Sequence, residues 1–200
     1  MIGLKAIVAV TGIPGVGKTT VLNEFEKLAK EKGINLKVVN FGSVMKKILE
    51  ERGKSIHRDY IRKTDIELQK EVQKEACKRI RETLGEGSNL IVDTHMFVQT
   101  GFGMYPGLPL NVLKELTPSL IVLIESPPEE IVRRRELDES RIRDENLPSE
   151  VKFDIEWSRA IASACSVISG APVKIIINER GKQTEAAKHL LDCILKFLVN

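Results

Sequence analysis

The stretch Gly12-Ile-Pro-Gly-Val-Gly-Lys-Thr19 decides the fold of the chain, because it follows the pattern G-x-x-x-x-G-K-[ST]. An apolar run from Ala6 to Val10 precedes it, and a segment with one apolar face follows it. A strand, a glycine-rich loop and a helix in this order are typical of sites that hold the phosphates of a nucleotide. The alternative is a glycine-rich turn without a ligand, which explains neither the spacing nor the two flanks.

Each residue type in this loop has a physical role in binding phosphate. The glycines let successive backbone N–H groups face one anion, and the positive end of the following helix adds to their field. The Lys18 ammonium can reach the β- and γ-phosphates, and the Thr19 hydroxyl can ligate Mg²⁺. We therefore predict that the loop binds a nucleoside triphosphate together with Mg²⁺.

Composition predicts an ordinary soluble domain spanning residues 1–200. The chain has 42% hydrophobic and 30% charged residues with a net charge of +3, which gives no clear signal for nucleic acid. The first apolar run is too short to span a membrane. Three scattered cysteines without a C-x-x-C pair indicate neither a zinc site nor a disulfide framework, so a reduced, cytoplasmic setting is expected.

Strand and helix signals alternate along the whole chain, which predicts an α/β fold with a five-stranded parallel sheet and helices on both faces. The five strands are expected at residues 6–10, 36–40, 90–93, 119–125 and 173–178. Ser43 is the expected cap of a short helix, and a long polar helix is expected over residues 59–84. Residues 101–109 are expected to form a loop, and Pro148 to start a helix that reaches Ser169.

In a parallel sheet the ligand lies beyond the carboxyl ends of the strands, and two polar residues stand at that edge. Asp93 ends a buried strand and can hold Mg²⁺ opposite Thr19, or else cap the turn that follows. His95 can touch a substrate, and a structural hydrogen bond is an equally good explanation.

Arginines form the second signal. Five of them lie between Arg133 and Arg143, where they are either a solvated helix face or a clamp for phosphoryl oxygens, and we favour the clamp. A smaller group contains Arg58 and Arg62. It is an ordinary helix surface when taken alone, but together with the other signals it can grip the phosphate of a second nucleotide. Tyr105 can offer its ring to a base or simply pack its loop.

Taken together, these motifs resemble the adenylate kinases, specifically the archaeal type, essentially from end to end. The resemblance is carried by GIPGVGKT at 12–19, NFGSVM at 40–45, RDYIRK at 58–63, VDTH at 92–95, YPGLP at 105–109, the pattern R-x-x-x-D-x-x-R-x-R at 134–143 and N-x-x-G at 178–181. The first motif is shared by very many nucleotide-binding proteins, and the combination of the others is much narrower.

The resemblance implies a P-loop kinase fold with strand order 2-3-1-4-5, a small mobile segment near 41–70 for the nucleoside monophosphate and a short lid near 133–147. It implies reversible transfer from ATP to AMP, giving two ADP, by a cytoplasmic homotrimer. Catalytic roles would fall to Lys18, Arg62, Arg134, Arg141 and Arg143. ATP would be bound by Val10, Thr11, Gly12, Ile13, Pro14, Gly15, Val16, Gly17, Lys18, Thr19, Thr20, Asn178 and Gly181, and AMP by Phe41, Gly42, Arg58, Arg62, His95 and Tyr105.

Two other functions stay open at this point. One is a kinase for a different nucleoside monophosphate, because the sequence does not settle which base is selected. The other is a regulatory ATPase. Against the ATPase, the third strand ends in Asp93-Thr94 rather than in the Asp-Glu pair expected of an enzyme that activates water.

Overall fold

The computed structural model describes residues 6–53, 66–84, 89–100, 103–137 and 147–199, and these ranges contain seven strands and seven helices. The strands are β1 (Ile7–Thr11), β2 (Leu36–Asn40), β3 (Asn89–Asp93), β4 (Phe97–Thr100), β5 (Gly103–Pro106), β6 (Leu120–Glu125) and β7 (Val173–Ile177). The helices are α1 (Lys18–Glu31), α2 (Phe41–Glu51), α3 (Ile66–Glu82), α4 (Leu110–Leu116), α5 (Pro128–Glu136), α6 (Pro148–Ser169) and α7 (Gln183–Val199).

Five of the strands form one parallel sheet in the order β2-β3-β1-β6-β7. Counted among the strands of this sheet alone, that is the predicted order 2-3-1-4-5. Every residue of β1 and of β6 is buried, because helices cover both faces of the sheet. Helix α1 packs against α7, while α3, α4 and α6 pack side by side. The α/β P-loop kinase fold is thereby confirmed.

The strand register brings the polar residues of the predicted site to one edge. Asp93 at the end of β3 lies opposite Asn40 on one neighbouring strand and Val10 on the other. Thr11, one residue further along β1, lies opposite Leu123 on β6. The glycine loop leaves the sheet at this same edge, between β1 and α1, so the carboxyl ends of the central strands surround it.

Part of the expected loop at 101–109 is instead a strand, so this prediction was wrong there. β4 and β5 pair antiparallel, with Val98 opposite Tyr105, and form a separate two-stranded hairpin. Its glycine and proline content obscured alternating side chains that suit a strand, and the Thr100 hydroxyl donates to the Gly103 carbonyl 2.7 Å away to close the turn. Tyr105 belongs to the second strand of this hairpin.

The cap of α2 also differs from the prediction. Asn40, not Ser43, stands at the N-cap, and its side-chain oxygen accepts hydrogen bonds from the Ser43 backbone N–H at 2.9 Å and from the Ser43 hydroxyl at 3.0 Å. The expected long helix is described from Ile66 onward, and its earlier part lies outside the described residues. Helix α6 has the predicted bounds. Across the described parts of the chain, no helix has the length and apolarity needed to cross a membrane.

Candidate active site

The glycine loop turns from β1 into α1 through two residues in the left-handed region. Gly15 has φ +96° and Gly17, which is the N-cap of α1, has φ +80°. A residue with a Cβ adopts such angles only with strain, so glycine at these two positions lets the loop wrap around the end of the helix. The loop therefore presents backbone N–H groups and the positive end of a 14-residue helix to the same space.

Two side chains from distant parts of the chain hold the carbonyl of Val16 from outside the loop. Arg134 Nη1 on α5 donates to this oxygen at 2.9 Å, and Asn178 Nδ2 after β7 donates to it at 2.8 Å. The neighbouring Arg135, which is 8% exposed, donates from Nε to the Pro14 carbonyl at 2.9 Å. These bonds hold the carbonyls of Val16 and Pro14 toward α5 and the residue after β7.

Asn178 is itself fixed by the strand ends around it. Its backbone N–H donates to the Glu125 carbonyl at 2.7 Å, and its own carbonyl accepts from the Ser126 hydroxyl at 2.7 Å. The carboxylate of Glu125 in turn receives two hydrogen bonds from Arg159 on α6, at 2.8 and 2.5 Å. The carboxyl ends of β6 and β7 are thus tied to each other, to α6 and to the loop.

Substituting Gly17 by alanine should weaken ATP binding by about tenfold or more. A Cβ at this position would lie 2.6 Å from Asn178 Nδ2, so the amide would have to leave the Val16 carbonyl. The matched control is Gly33→Ala, where φ is +65° but nothing lies within 4 Å of the added Cβ. Both variants should lose about 1 kcal/mol of stability to backbone strain, and only Gly17→Ala should lose ATP affinity in calorimetric titration. Equal ATP affinity in the two variants would contradict this account of the loop.

Lys18 and Asp93 form a buried ion pair at the edge of the sheet where the central strands end. The Lys18 ammonium donates to Asp93 Oδ1, and Asn40 Nδ2 donates to Asp93 Oδ2. Both charged side chains are 8% exposed, so the pair lies in a medium of low polarity where charges interact strongly. The N-terminus of α2, capped by Asn40, is in this way linked through Asp93 to the lysine of the glycine loop.

His95 holds the start of the loop. Its Nδ1 lies 2.9 Å from the Gly12 carbonyl, which can only accept, so Nδ1 carries the proton in this contact. The hairpin closes tightly over the same residue, since a Cβ at Gly107 would lie 1.9 Å from the His95 carbonyl. The structural hydrogen bond that the sequence left open for His95 therefore exists, and contact with a nucleotide stays a prediction.

The last turn of α5 concentrates positive charge near the carboxylate of Glu130, which belongs to the first turn of the same helix. Glu130 accepts two hydrogen bonds from Arg133, at 2.7 and 2.9 Å, and one from Arg134 at 2.8 Å. These arginines lower the pKa of Glu130 to about 2. Arg134 contacts both Glu130 and the loop, whereas the Arg133 guanidinium donates to Glu130.

The structure brings together most of the residues predicted on the donor side. Val10 to Lys18, Asp93, His95, Arg134 and Asn178 meet around the loop through the contacts given above. Thr19 and Thr20 lie exposed in the first turn of α1, and Gly181 forms an exposed turn with φ +73° after Asn178. Arg141 and Arg143 lie outside the described residues.

Fewer of the residues predicted on the acceptor side are described. Phe41 and Gly42 form the first turn of α2, directly after Asn40, and Phe41 is buried. Tyr105 is half-buried in the hairpin, and burial raises the pKa of its phenol. Arg58 and Arg62 fall outside the described residues.

Sequence reasoning did not assign a role in this site to Arg135, Asn40 or Glu130. Arg135 was counted only as one member of an arginine cluster, and its burial between the loop and Asp154 on α6 depends on contacts that no local pattern reports. Asn40 could have been found, because an asparagine after a predicted strand and before a helix is a strong N-cap signal. Glu130 stands four residues before Arg134 on a helix, a spacing that favours ion pairs.

The oxygen ligands at the edge suit a hard cation. The Thr19 hydroxyl and the Asp93 carboxylate are the kinds of donor that Mg²⁺ prefers, and Mg²⁺ is commonly held by one or two such groups together with substrate phosphates. Within the described ranges, no group of three or more His, Cys, Asp or Glu side chains could hold a metal ion. The residues present therefore fit a cation that arrives with a nucleotide rather than a closed protein cage.

Known proteins resemble this chain over nearly its whole length. A family model described as an AAA domain matches residues 11–152. A protein of Thermoplasma acidophilum named adenylate kinase is 44% identical over 92% of this chain and 96% of its own length. Adenylate kinases of Methanocaldococcus jannaschii and Saccharolobus solfataricus are 43% and 41% identical over 94% and 93% of this chain, each covered over 97% of its length.

Solved structures resemble it in fold. A shikimate kinase from Acinetobacter baumannii, solved with shikimate, has a TM-score of 0.57 at 12% identity, covering 98% of this chain and 96% of the other. A shikimate kinase from Bacteroides thetaiotaomicron has a TM-score of 0.56 at 14% identity, covering 95% and 98%. At these identities the likeness concerns the fold alone.

Proposed function

We propose that this chain, which belongs to the AAA-domain family and to the adenylate kinases, transfers a phosphoryl group from ATP to AMP at the site around the glycine loop. The reaction is reversible and gives two ADP, and in a cell it would keep adenine nucleotides in balance. The relatives reported above support an enzyme of the archaeal type. One observation carries the proposal. Arg134 and Asn178 both donate hydrogen bonds to the Val16 carbonyl of the glycine loop. The ion pair of Lys18 and Asp93 lies at the same loop.

The donor ATP binds at the glycine loop. Backbone N–H groups from Gly12 to Thr20 surround its phosphates, with Val10 and Thr11 beneath them. Lys18 moves from Asp93 to the β- and γ-phosphates, because a phosphate carries more negative charge than one carboxylate. The adenine of ATP lies near Asn178 and Gly181, since both follow β7 at the same edge of the sheet.

The acceptor AMP lies on the other side of β3, between the start of α2 and the hairpin. Phe41 and Gly42 border it at one end and Tyr105 at the other, while His95 stands between them after β3. Arg58 and Arg62 supply the positive charge for the AMP phosphate. This arrangement is supported by the strand order, which puts β2 and β3 next to each other.

Transfer occurs by direct in-line attack of an AMP phosphate oxygen on the γ-phosphoryl group. No general base is required, because the attacking oxygen is already anionic. Catalysis then depends on position and on charge, which Lys18, Arg134, Arg141 and Arg143 supply around the transferring group. Arg134 is supported in this role by its place against the loop, 2.9 Å from the Val16 carbonyl.

Mg²⁺ would enter the site with ATP and would be held by the Thr19 hydroxyl and the Asp93 carboxylate. When bound it neutralises phosphate charge and orients the β- and γ-oxygens. Asp93 is available for this role once Lys18 has turned to the phosphates. Until then Asn40 and Lys18 keep its carboxylate fixed at the edge.

The test is an assay of ADP formation from Mg·ATP and AMP, with each nucleotide omitted in turn. Rapid ADP formation should require both nucleotides, and side-by-side rates with CMP, UMP and GMP should be lower than with AMP. A higher rate with another monophosphate would assign the chain a different acceptor. Fast ADP formation from ATP without AMP would instead indicate a regulatory ATPase.

Residues 41–70 and 133–147 are expected to close over the two nucleotides, within a single kinase domain that spans residues 1–200. A kinase must exclude water from the γ-phosphoryl group, and closing segments are the usual means. Amide hydrogen exchange in both segments should slow when ATP and AMP analogues are bound together. Exchange that is equal with and without the two nucleotides would contradict closure.

A homotrimer is the expected assembly, and α6 offers the surface for it. One face of this helix is exposed and apolar. Phe153 stacks on Trp157 with their ring centroids 6.1 Å apart. Ala160 and Ala164 continue the face, and Val167 at its far end is 86% exposed. A contiguous apolar face of this length is typical of a surface covered in an assembly.

Trp157→Glu should therefore convert the trimer to a monomer, because it would bury a charge in the contact between copies. Light scattering coupled to size-exclusion chromatography measures the change. Leu110→Glu is the control, because Leu110 is 51% exposed but belongs to α4 rather than to this face of α6, and it should leave the trimer intact. A wild-type protein that runs as a monomer, or a Trp157→Glu variant that stays trimeric, would contradict this assignment of the surface.

The cytoplasm is the expected location. Cys77, Cys165 and Cys193 are free thiols, as suits a reducing compartment. Burial raises the pKa of the Cys77 thiol to about 12, which makes it unreactive.

A further inference from the structure

Helix α5 carries a buried arginine close to a more exposed one. The side chain of Arg135 is 7% exposed, whereas that of Arg133, two residues earlier, is 40% exposed. A guanidinium removed from water is unfavourable unless carboxylates or carbonyls pair with its N–H groups. The burial of Arg135 is therefore sustained by its partners, and those partners indicate what the side chain does.

Arg135 joins the glycine loop to α6. Its Nε donates to the Pro14 carbonyl at 2.9 Å, and its Nη2 lies 3.5 Å from Asp154 Oδ2 on α6. The Asp154 side chain is itself only 18% exposed. Because the guanidinium is planar and rigid, a partner on one side fixes the direction of the donors on the other. Asp154 thus helps to orient the N–H group that reaches the loop.

The aliphatic part of Arg135 also packs against the loop. A Cβ at Gly15 would lie 3.0 Å from Arg135 Cγ and 3.0 Å from Ile131 Cγ2, so there is no space for a methyl group between the loop and α5. Ile131 is completely buried. The loop therefore rests on α5 at Gly15 and is held by a hydrogen bond at Pro14, the residue before it.

These two contacts fix the peptide group between Pro14 and Gly15. This peptide is trans, and in a trans peptide the C=O and N–H bonds point in opposite directions. Because the Pro14 carbonyl points to Arg135, the Gly15 N–H points away from that guanidinium. A peptide that loses this hydrogen bond is free to turn and to present its oxygen, which repels an anion, where the N–H attracted one.

We propose that Arg135 is a positioning residue for the donor nucleotide, because it holds the Gly15 N–H ready for the phosphates of ATP. The inference rests on the proposed function and adds to it a side chain that acts through the loop rather than by touching a nucleotide. A donor group that is fixed in advance binds more tightly, since binding does not have to order it. The N–H contact exists before as well as during transfer, so its loss should raise the KM for ATP without lowering kcat.

The experiment compares the wild-type protein with Arg135→Met, which keeps the aliphatic part of the side chain and removes the guanidinium. The KM for ATP, and the Kd from calorimetric titration with Mg·ATP, should both rise about tenfold, a typical effect of losing one hydrogen bond to a charged group. The KM for AMP and kcat should change by less than about threefold.

Arg81→Met is the matched control. Arg81 on α3 also donates to a backbone carbonyl of another element, that of Glu115 on α4, at 2.6 Å. The same guanidinium reaches Thr117, shortly before β6 begins, and so it lies at the opposite edge of the sheet from the glycine loop. This variant should leave both KM values and kcat unchanged.

A double variant separates positioning from stability. Arg135→Met leaves the Asp154 carboxylate without this cation and should lower the melting temperature, so Asp154→Asn is added to remove the charge. The double variant should regain most of the lost melting temperature, while its KM for ATP stays about tenfold above the wild-type value. If Arg135 mattered only for stability, both quantities would return together.

An unchanged KM and Kd for ATP in the double variant would overturn the inference, and so would a KM for AMP that rises as much as the KM for ATP. Calorimetry with ATP alone keeps this test apart from the proposed function. If the wild type binds ATP but forms no ADP with AMP, the proposed function fails. Weaker ATP binding by the double variant would still support the role of Arg135 in that case.

Discussion

Replacing Lys18 by methionine is expected to lower kcat for ADP formation by about a thousandfold, because the ammonium that stabilises the transferring phosphoryl group is lost. The same change should also destabilise the protein. Asp93 would stay buried without its cation, and removal of one partner from such a pair costs about 3–5 kcal/mol. Steady-state rates and urea unfolding measure the two effects.

A double variant separates the two effects of Lys18. The variant that combines Lys18→Met with Asp93→Asn leaves no unpaired charge at this position. Most of the free energy of unfolding that Lys18→Met loses should therefore return. Activity should not return, because neither the lysine nor the carboxylate is present. A double variant with substantial activity would contradict the role of Lys18 in transfer, while a single variant as stable as the wild type would contradict the importance of the buried pair.

Replacing Arg134 by alanine is expected to lower kcat by about a hundredfold or more. Arg134 joins α5 to the loop through the Val16 carbonyl. Of the three arginines proposed to act in transfer, Arg134, Arg141 and Arg143, it is the one within the described residues. Lysine at this position should recover little activity, because one ammonium cannot reproduce the donors that reach Glu130 and Val16 at once.

The control for Arg134 is its neighbour Arg133, whose guanidinium donates twice to Glu130. Arg133→Ala removes the same charge from the same helix and should change kcat by less than about threefold. Equal losses in the two variants would mean that the general positive charge of α5 matters rather than the contact with the loop. Circular dichroism of both variants shows whether α5 and its neighbours are retained.

Local chemistry explains why much of the fold followed from the sequence. Helix α6 has its predicted bounds because Pro148 suits the first turn of a helix and Gly170, with φ +75°, suits the end of one. The strands of the parallel sheet were found because strands covered on both faces are almost wholly apolar, as in Leu120–Glu125. The hairpin was missed in part because glycine and proline in residues 101–109 favour a loop when read alone.

The sequence predicted which residues of the described parts meet around the glycine loop better than it predicted the contacts between them. The glycine loop, Asp93 and Asn178 were identified from motifs and strand ends, since a parallel sheet brings those ends together. Lys18 pairs with Asp93, which is 75 positions away in the chain. Arg135 donates a hydrogen bond to the Pro14 carbonyl, which is 121 positions away. No local period encodes such contacts, so only the folded chain reveals them.

The most direct test of the central claim follows the γ-phosphoryl group of labelled ATP. With AMP present, the account predicts that the label appears in the β-position of newly formed ADP, with one AMP consumed for each label transferred and little label in inorganic phosphate. Label that passes mainly to inorganic phosphate, at a rate that AMP does not change, would contradict a two-nucleotide site.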